Sequence, residues 1–188
     1  MSPEVEHDPS NAPQTAALTA PLEAALGDLP HRLQVGGDER DGTPVVDVEP
    51  RDVHAALQRL RDAAGYESLT FVTAIDRWSD RGPVEPRFEV SWQLISFAHN
   101  TRARVRARVT TAEPVVPTCV DLWPGAAFME RECHDMFGVR FEGNPDLRRL
   151  LMPEAYEHHP LRKDFPHQGI EPDRLYREWD RKRRQEAR

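Results

Sequence analysis

FEVSWQLISFAHNTRARVRARV, residues 88–109, is the stretch on which the fold turns. Phe88, Val90, Trp92 and Leu94 alternate with Glu89, Ser91 and Gln93. After the turn SFAHNT, Ala103, Val105, Ala107 and Val109 alternate with Arg102, Arg104, Arg106 and Arg108. A period of two places alternate side chains on opposite faces of a strand, so both halves are strands and the pair is a hairpin. Each strand has an apolar face for a core and a polar face for solvent or a partner.

Upstream, Leu69–Ile75 is a β-rich run, followed by a loop of charges with Gly82, Pro83 and Pro86. Before it, residues 51–64 form a helix with Val53, Leu57, Leu60 and Ala64 on one face; Pro50 suits its start and Gly65 its stop. Thr43–Val48 reads as a first strand and 15–27 as a short helix, while residues 1–14 are expected to be disordered. Downstream, Val115–Leu122 reads as a strand and 126–137 as a helix with Ala126, Met129, Cys133 and Met136 on one face, ended by Gly138. Asn144-Pro145-Asp146 has the chemistry of a helix start, which predicts a short helix through Leu151, halted by Pro153. Residues 156–169, with Pro160 and Pro166, read as an extended arm, and 173–188 as a polar helix that only Leu175, Tyr176 and Trp179 can dock.

The expected fold class is α+β: a small, mostly antiparallel sheet with helices packed on one face, followed by an extended C-terminal arm. Three regions follow: an acidic extension over 1–30, largely disordered, an α+β domain over 31–153, and an arm with a basic tail over 154–188.

Composition removes several classes. A chain of 188 residues suits one domain and buries roughly 70% of its unfolded surface. Its net charge of −7 is uneven: residues 1–50 hold ten acids and two bases, whereas 174–188 hold seven bases and three acids. No run of about 18 apolar residues exists to span a bilayer, and MSPEVEHDPS is no secretory signal. Two cysteines, Cys119 and Cys133, make no disulfide framework and cannot alone ligate an iron–sulfur cluster, which normally takes four thiolates. Neither Gly-x-Gly-x-x-Gly nor a Walker-type Gly-Lys-Ser/Thr occurs, so both common nucleotide cradles are missing.

Four candidate constellations remain. Arg102, Arg104, Arg106 and Arg108 would repel one another on one strand face unless paired, and Glu89 alone cannot neutralise them. A solvated face and a docking face for an acidic partner are both consistent with this row, with RNA binding weaker because stacking aromatics are missing there. Cys133-His134 and His158-His159, with Cys119 and His167, lack the short gaps of a zinc site. No Gly-x-Ser-x-Gly elbow occurs, and a Cys and His adjacent on a helix diverge, so Cys133 reads as a small core residue. The densest stretch is 123–166, WPGAAFMERECHDMFGVRFEGNPDLRRLLMPEAYEHHPLRKDFP. Its acids Glu130, Glu132 and Asp135, with Arg148, Arg149 and Arg162 downstream, suggest a buried or interfacial ion-pair network, or else an ordinary charged surface.

This stretch closely resembles the signature of the C subunit of respiratory NADH-quinone oxidoreductase, the thirty-kilodalton subunit family of complex I. The matching residues are Glu130-Arg131-Glu132, Asp135-Met136-Phe137-Gly138, Phe141, Gly143, Pro145-Asp146-Leu147-Arg148-Arg149 and Pro160-Leu161-Arg162-Lys163-Asp164-Phe165-Pro166. His134, Asn144 and His158 depart from the residues usual there. The resemblance covers about residues 43–166 and implies a non-catalytic peripheral-arm subunit with no cofactor of its own. FMN, iron–sulfur clusters and quinone would sit in partner subunits. It further implies that the signature segment and the arm clamp the D-like large quinone-site subunit, beside neighbouring iron–sulfur subunits. Glu130, Arg131, Asp135, Arg148, Arg149, Arg162, Lys163 and Asp164 would be interface and framework residues. No nucleic acid partner is expected, and membrane contact only through the complex, on the cytoplasmic side of the bacterial inner membrane. The equivalent subunit of a membrane-bound hydrogenase or another donor:quinone complex carries a related pattern.

Overall fold

The central hairpin forms in the register its alternation dictates. β4 (Gly82–Ser96) and β5 (Thr101–Val109) pair antiparallel, with Phe88 opposite Val109, Trp92 opposite Val105 and Ser96 opposite Thr101. Phe88, Val90, Trp92, Leu94, Ala103 and Val105 are all fully buried on one face. This computed structural model describes residues 12–35, 42–167, 169 and 173–186.

Around that hairpin stand β1 (His31–Gln34), β2 (Val45–Val48) and β3 (Ser68–Ser79), giving a five-stranded sheet of order β1-β2-β5-β4-β3. Every pairing in it is antiparallel except β2 with β5. β6 (Val115–Pro117) and β7 (Arg140–Glu142) form a separate parallel pair. Helix α1 runs Ala12–Leu26, α2 Val53–Ala64, α3 Ala126–Phe137 and α4 Asp173–Glu186.

α2 buries Val53, Ala56, Leu57, Leu60 and Ala64, enters through a 3-10 turn at Pro50–Asp52, and stops where Gly65 takes φ +70. α1 packs on α2, and Leu22 and Leu26 are fully buried, so this helix is part of the core. The apolar sides of α1, α2 and α3 join the apolar face of the sheet in one cluster. Burying a leucine or phenylalanine there stabilises by about 1.5–3 kcal/mol each. Among the described residues no helix is long and apolar enough to cross a membrane.

Three expectations change, and one strand is new. The charged loop expected after Ile75 is instead a continuation of β3 and β4, which turn at Asp80-Arg81 with Ser79 opposite Gly82. The reason is that Asp76 and Arg87 satisfy each other where the strands leave the apolar core. The strand expected through Leu122 ends at Pro117, because the Cys119 N–H donates to Glu130 and the Cys119 carbonyl accepts from Leu122 and Trp123 in a turn. The short helix expected from Asn144 through Leu151 does not form: the Asn144 Oδ1 accepts the Asp146 N–H, but the N–H groups of Leu150, Leu151 and Met152 all turn to Asp135. β1 lies in residues that show no alternation, and its place comes from pairing with β2. The docking side chains expected on α4, Leu175, Tyr176 and Trp179, lie outside the described ones.

Candidate functional site: the α3 helix and its arm

α3 buries two carboxylates together with its apolar side chains. Glu130 and Asp135 are both 0% exposed. Two such carboxylates survive burial only if hydrogen-bond donors replace their water. Glu130 accepts from Thr118 Oγ1 at 2.6 Å and Asn144 Nδ2 at 2.8 Å on one oxygen, and from the Cys119 N–H at 2.8 Å on the other. It thereby ties α3 to the end of β6 and to the loop after β7.

Asp135 does the same for the next segment. Its Oδ2 accepts the N–H groups of Leu150, Leu151 and Met152 at 3.0, 2.8 and 2.9 Å, and its Oδ1 accepts Arg149 Nη1 at 2.6 Å. Burial pushes this carboxyl up, but the three N–H donors and Arg149 outweigh it and hold it below the usual carboxylate range.

The C-terminal carbonyls of a helix lack intrahelical partners. Here the arm supplies them. His159 Nδ1 meets the Asp135 carbonyl at 2.9 Å, the Leu161 N–H donates to Met136 at 3.1 Å, and Arg162 Nε donates to Phe137 at 2.6 Å. Two cations at the negative end of the helix dipole, Arg149 and Arg162, add a favourable field. Gly138 leaves α3 at φ +77, and a Cβ there would strike the Arg162 and His159 side chains. Glycine is thus required for both backbone and space.

A second knot fixes the far end of the arm. Arg87, only 3% exposed, is bidentate to Asp76 at 2.8 and 2.8 Å and reaches Asp164 of the arm at 3.0 Å. Asp76 also accepts the Lys163 N–H at 2.7 Å. The guanidinium lies 5.2 Å from the Trp78 ring centroid and 4.9 Å from that of Phe88, whose ring Arg162 approaches at 5.1 Å. Burial raises the Asp76 carboxyl, yet Arg87 and the Lys163 N–H bring it below its ordinary value. Asp164 is lowered by its bond to Arg87. Burial and the neighbouring Arg87 charge work against the Arg162 cation and lower its pKa.

The remaining signature residues divide by exposure. Arg131 donates to the carbonyls of Arg148 and Arg149 at 3.0 and 2.9 Å, and Phe141 is buried. Leu147 packs against the core, and Phe137 lies within it. Glu132, Gly143, Pro145, Arg148, Leu161, Lys163, Asp164 and Pro166 are exposed, and Pro160 and Phe165 half-buried. Arg148 pairs with Asp146 two residues away, a surface contact worth little. Of the three departures, His134 meets the Val139 carbonyl at 3.0 Å, Asn144 serves Glu130, and His158 stacks edge-on against Tyr156.

The arginine row is also better matched than its own strand suggests. Asp47 of β2 is bidentate to Arg106 at 2.9 and 3.0 Å, Glu89 bonds Arg108 at 2.8 Å, and Gln93 accepts from Arg104 at 2.9 Å. Cys119 and Cys133 are buried thiols, raised above their ordinary values chiefly by that burial. Among the described residues no three His, Cys, Asp or Glu side chains are grouped to hold a metal ion.

Asp47, Asp76, Arg87, Thr118 and His159 are framework residues that the sequence reading misses. One signal is available for Asp76: the period of Val72 and Ala74 continues to it, so an acid falls on the core face and demands a cation.

The model of the family described as respiratory-chain NADH dehydrogenase, 30 Kd subunit, matches residues 46–171, from β2 through the arm. The chain belongs to this family. The NADH-quinone oxidoreductase C subunit of Roseiflexus castenholzii is 42% identical over 151 residues, covering 79% of this chain and 82% of that one. Its counterpart in Francisella tularensis is 39% identical over 147 residues, covering 64% of this chain and 68% of the relative. Among solved structures, the trypsin-resistant fragment of Nqo5 superposes with a TM-score of 0.59 at 30% identity, covering 69% of this chain and 98% of that chain. A chain of the membrane-bound sulfane sulfur reductase, an archaeal respiratory membrane complex, gives 0.63 at 26% identity, covering 78% and 84%. The 30 Kd family match takes in both knots, since Asp76, Arg87, Glu130, Asp135 and the arm through Pro166 all fall inside it.

Proposed function

We propose that this chain is a non-catalytic peripheral-arm subunit of a respiratory NADH-quinone oxidoreductase. It supports the quinone-reducing module while electrons pass from NADH to quinone with proton translocation. The observation that carries this reading is the saturation of its buried ionic groups. Glu130, Asp135, Asp76 and Arg87 spend their hydrogen-bonding capacity within the chain, on α3 and the arm. Groups so engaged act as a framework, whereas catalytic acids and bases need a free site to reach a substrate. FMN, iron–sulfur clusters and quinone then belong to partner subunits. The partner is a large quinone-site subunit with iron–sulfur subunits beside it, on the cytoplasmic side of the membrane. Identity of 42% with a named NADH-quinone oxidoreductase subunit supports that complex.

A second reading draws on the likeness to a chain of the sulfane sulfur reductase, whose TM-score of 0.63 is close to the 0.59 of Nqo5. The same fold would then serve a complex fed by another donor, and the electron-input companions separate the two.

Arg162→Ala tests the role. It removes the Phe137 carbonyl cap and the Phe88 contact, loosening the arm. Membranes carrying this variant are expected to lose both assembled complex and NADH:quinone activity by about tenfold. Normal assembly with normal activity would refute the assigned role.

A further inference from the structure

The face of the sheet turned away from the helices carries a charge that the chain as a whole does not. Register puts Arg32 of β1 and all four β5 arginines on that face, together with Asp47 and Glu89. Among the described residues that face therefore carries arginines beyond those its carboxylates hold, in a chain of net charge −7. Asp47 and Glu89 are already committed to Arg106 and Arg108. Among the described residues Arg32 and Arg102 pair with no carboxylate, and both side chains are exposed. A cleft of about 430 Å³ opens where Arg32, Arg106 and Arg108 share a wall with Pro50 and Pro86, with Asp47 and Glu49 also lining it. At the far edge of the same face, β3 leaves Phe71 41% and Ile75 52% exposed.

We propose that the exposed margins of this face, Arg32, Arg102 and Arg108 with Phe71 and Ile75, form a docking surface for an acidic segment of a partner protein. Carboxylates of the partner seat on Arg32, Arg102 and Arg108, and its apolar side chains cover Phe71 and Ile75. Charge complementarity selects that occupant: an excess of guanidinium on a face with an apolar margin matches the arginine-rich, partly apolar make-up of protein interfaces. Glu89 holds Arg108 through Nε, which leaves the outer N–H groups of that exposed guanidinium for a partner's carboxylate. Along β5 no aromatic side chain interleaves the arginines for base stacking. The proposal rests on the subunit reading only in taking the partner to be a companion chain of the complex.

The test uses the full-length chain in its membranes. Arg32→Glu/Arg102→Glu breaks no bond within the described residues, so the melting temperature of the purified variant should match the parent. Its retention with the companion chains across a rising salt series should fall by about tenfold. A photo-crosslinking residue in place of Arg102 should attach to a companion segment rich in Asp and Glu. Unchanged retention, or a cross-link to a companion segment without acids, overturns the docking face and leaves the subunit reading standing. A cross-link to an acidic segment of an unrelated protein keeps the docking face and overturns the subunit reading. Cross-linking to lipid, with Arg32- and Arg102-dependent binding to phosphatidylglycerol vesicles, overturns the acidic protein partner in favour of a membrane.

Discussion

Asp135→Asn lowers the unfolding free energy by about 3–5 kcal/mol, the range for stripping one partner from a buried charged network. Asparagine has nearly the same shape, so packing is not what changes. Its single carbonyl oxygen can serve either the N–H groups of Leu150–Met152 or Arg149, and its NH₂ then faces donors on the other side. One effect runs the other way, since a neutral amide costs less to bury than a carboxylate. The unpaired donors outweigh it, because several of them would be stranded at once. For a chain of this size the loss corresponds to a drop in Tm of roughly 10 °C, read by calorimetry or circular dichroism. Asp146→Asn is the control: it touches the exposed Arg148 pair, and its effect should stay within about 1 kcal/mol.

Arg87→Met is expected to cost a similar amount, about 3–5 kcal/mol at pH 7, because it leaves the Asp76 charge buried with the Lys163 N–H and the field of Arg162 in place of a bidentate partner. It also frees Asp164, so the arm should become more open to protease. Converting both members, in Arg87→Met/Asp76→Leu, should recover much of the loss, since no lone charge then remains. The pH dependence distinguishes this mechanism from simple loss of volume. In the parent, Asp76, Asp135 and Asp164 all sit below their ordinary values. Their stabilisation is fully present above the unfolded carboxyl pKa, near 4, and is lost as pH falls through the folded values. In Arg87→Met the largest offset to the burial of Asp76 is gone, so its carboxyl value rises from the parent's. Urea unfolding should therefore show a gap from the parent that narrows as pH falls from the variant's raised Asp76 value down through the parent's lowered one. A gap independent of pH would mean that the charge plays no part.

What is legible in the sequence depends on the range of the interaction. The hairpin is readable because period two is local, and the observed register places each of Phe88, Val90, Trp92 and Leu94 on the buried face as expected. α2 and α3 are readable for the same reason, each ended by a glycine at positive φ, Gly65 and Gly138. The segment after Asn144 misleads because local helix-start chemistry loses to one distant carboxylate that collects three N–H groups. Asp47 is invisible as a partner for Arg106 because β2 reaches β5 through a parallel pairing 59 residues away in sequence. Resemblance points to the signature residues and to the Asp135–Arg149 pair among them, but not to the partners outside the signature. Glu130 and Asp135 are buried framework, while the Arg87–Asp76–Asp164 knot that anchors the arm includes two residues outside the signature.

If this chain is one subunit of a quinone-reducing respiratory complex, its companions must travel with it. Affinity purification of the full-length chain from its own membranes, with identification of those companions by mass spectrometry, is the most direct test. A large quinone-site subunit and iron–sulfur subunits are expected in equal stoichiometry with this chain, together with NADH:quinone activity in the purified material. Recovery of the chain alone, or with companions that include neither a cluster-bearing nor a quinone-site subunit, would contradict the assignment.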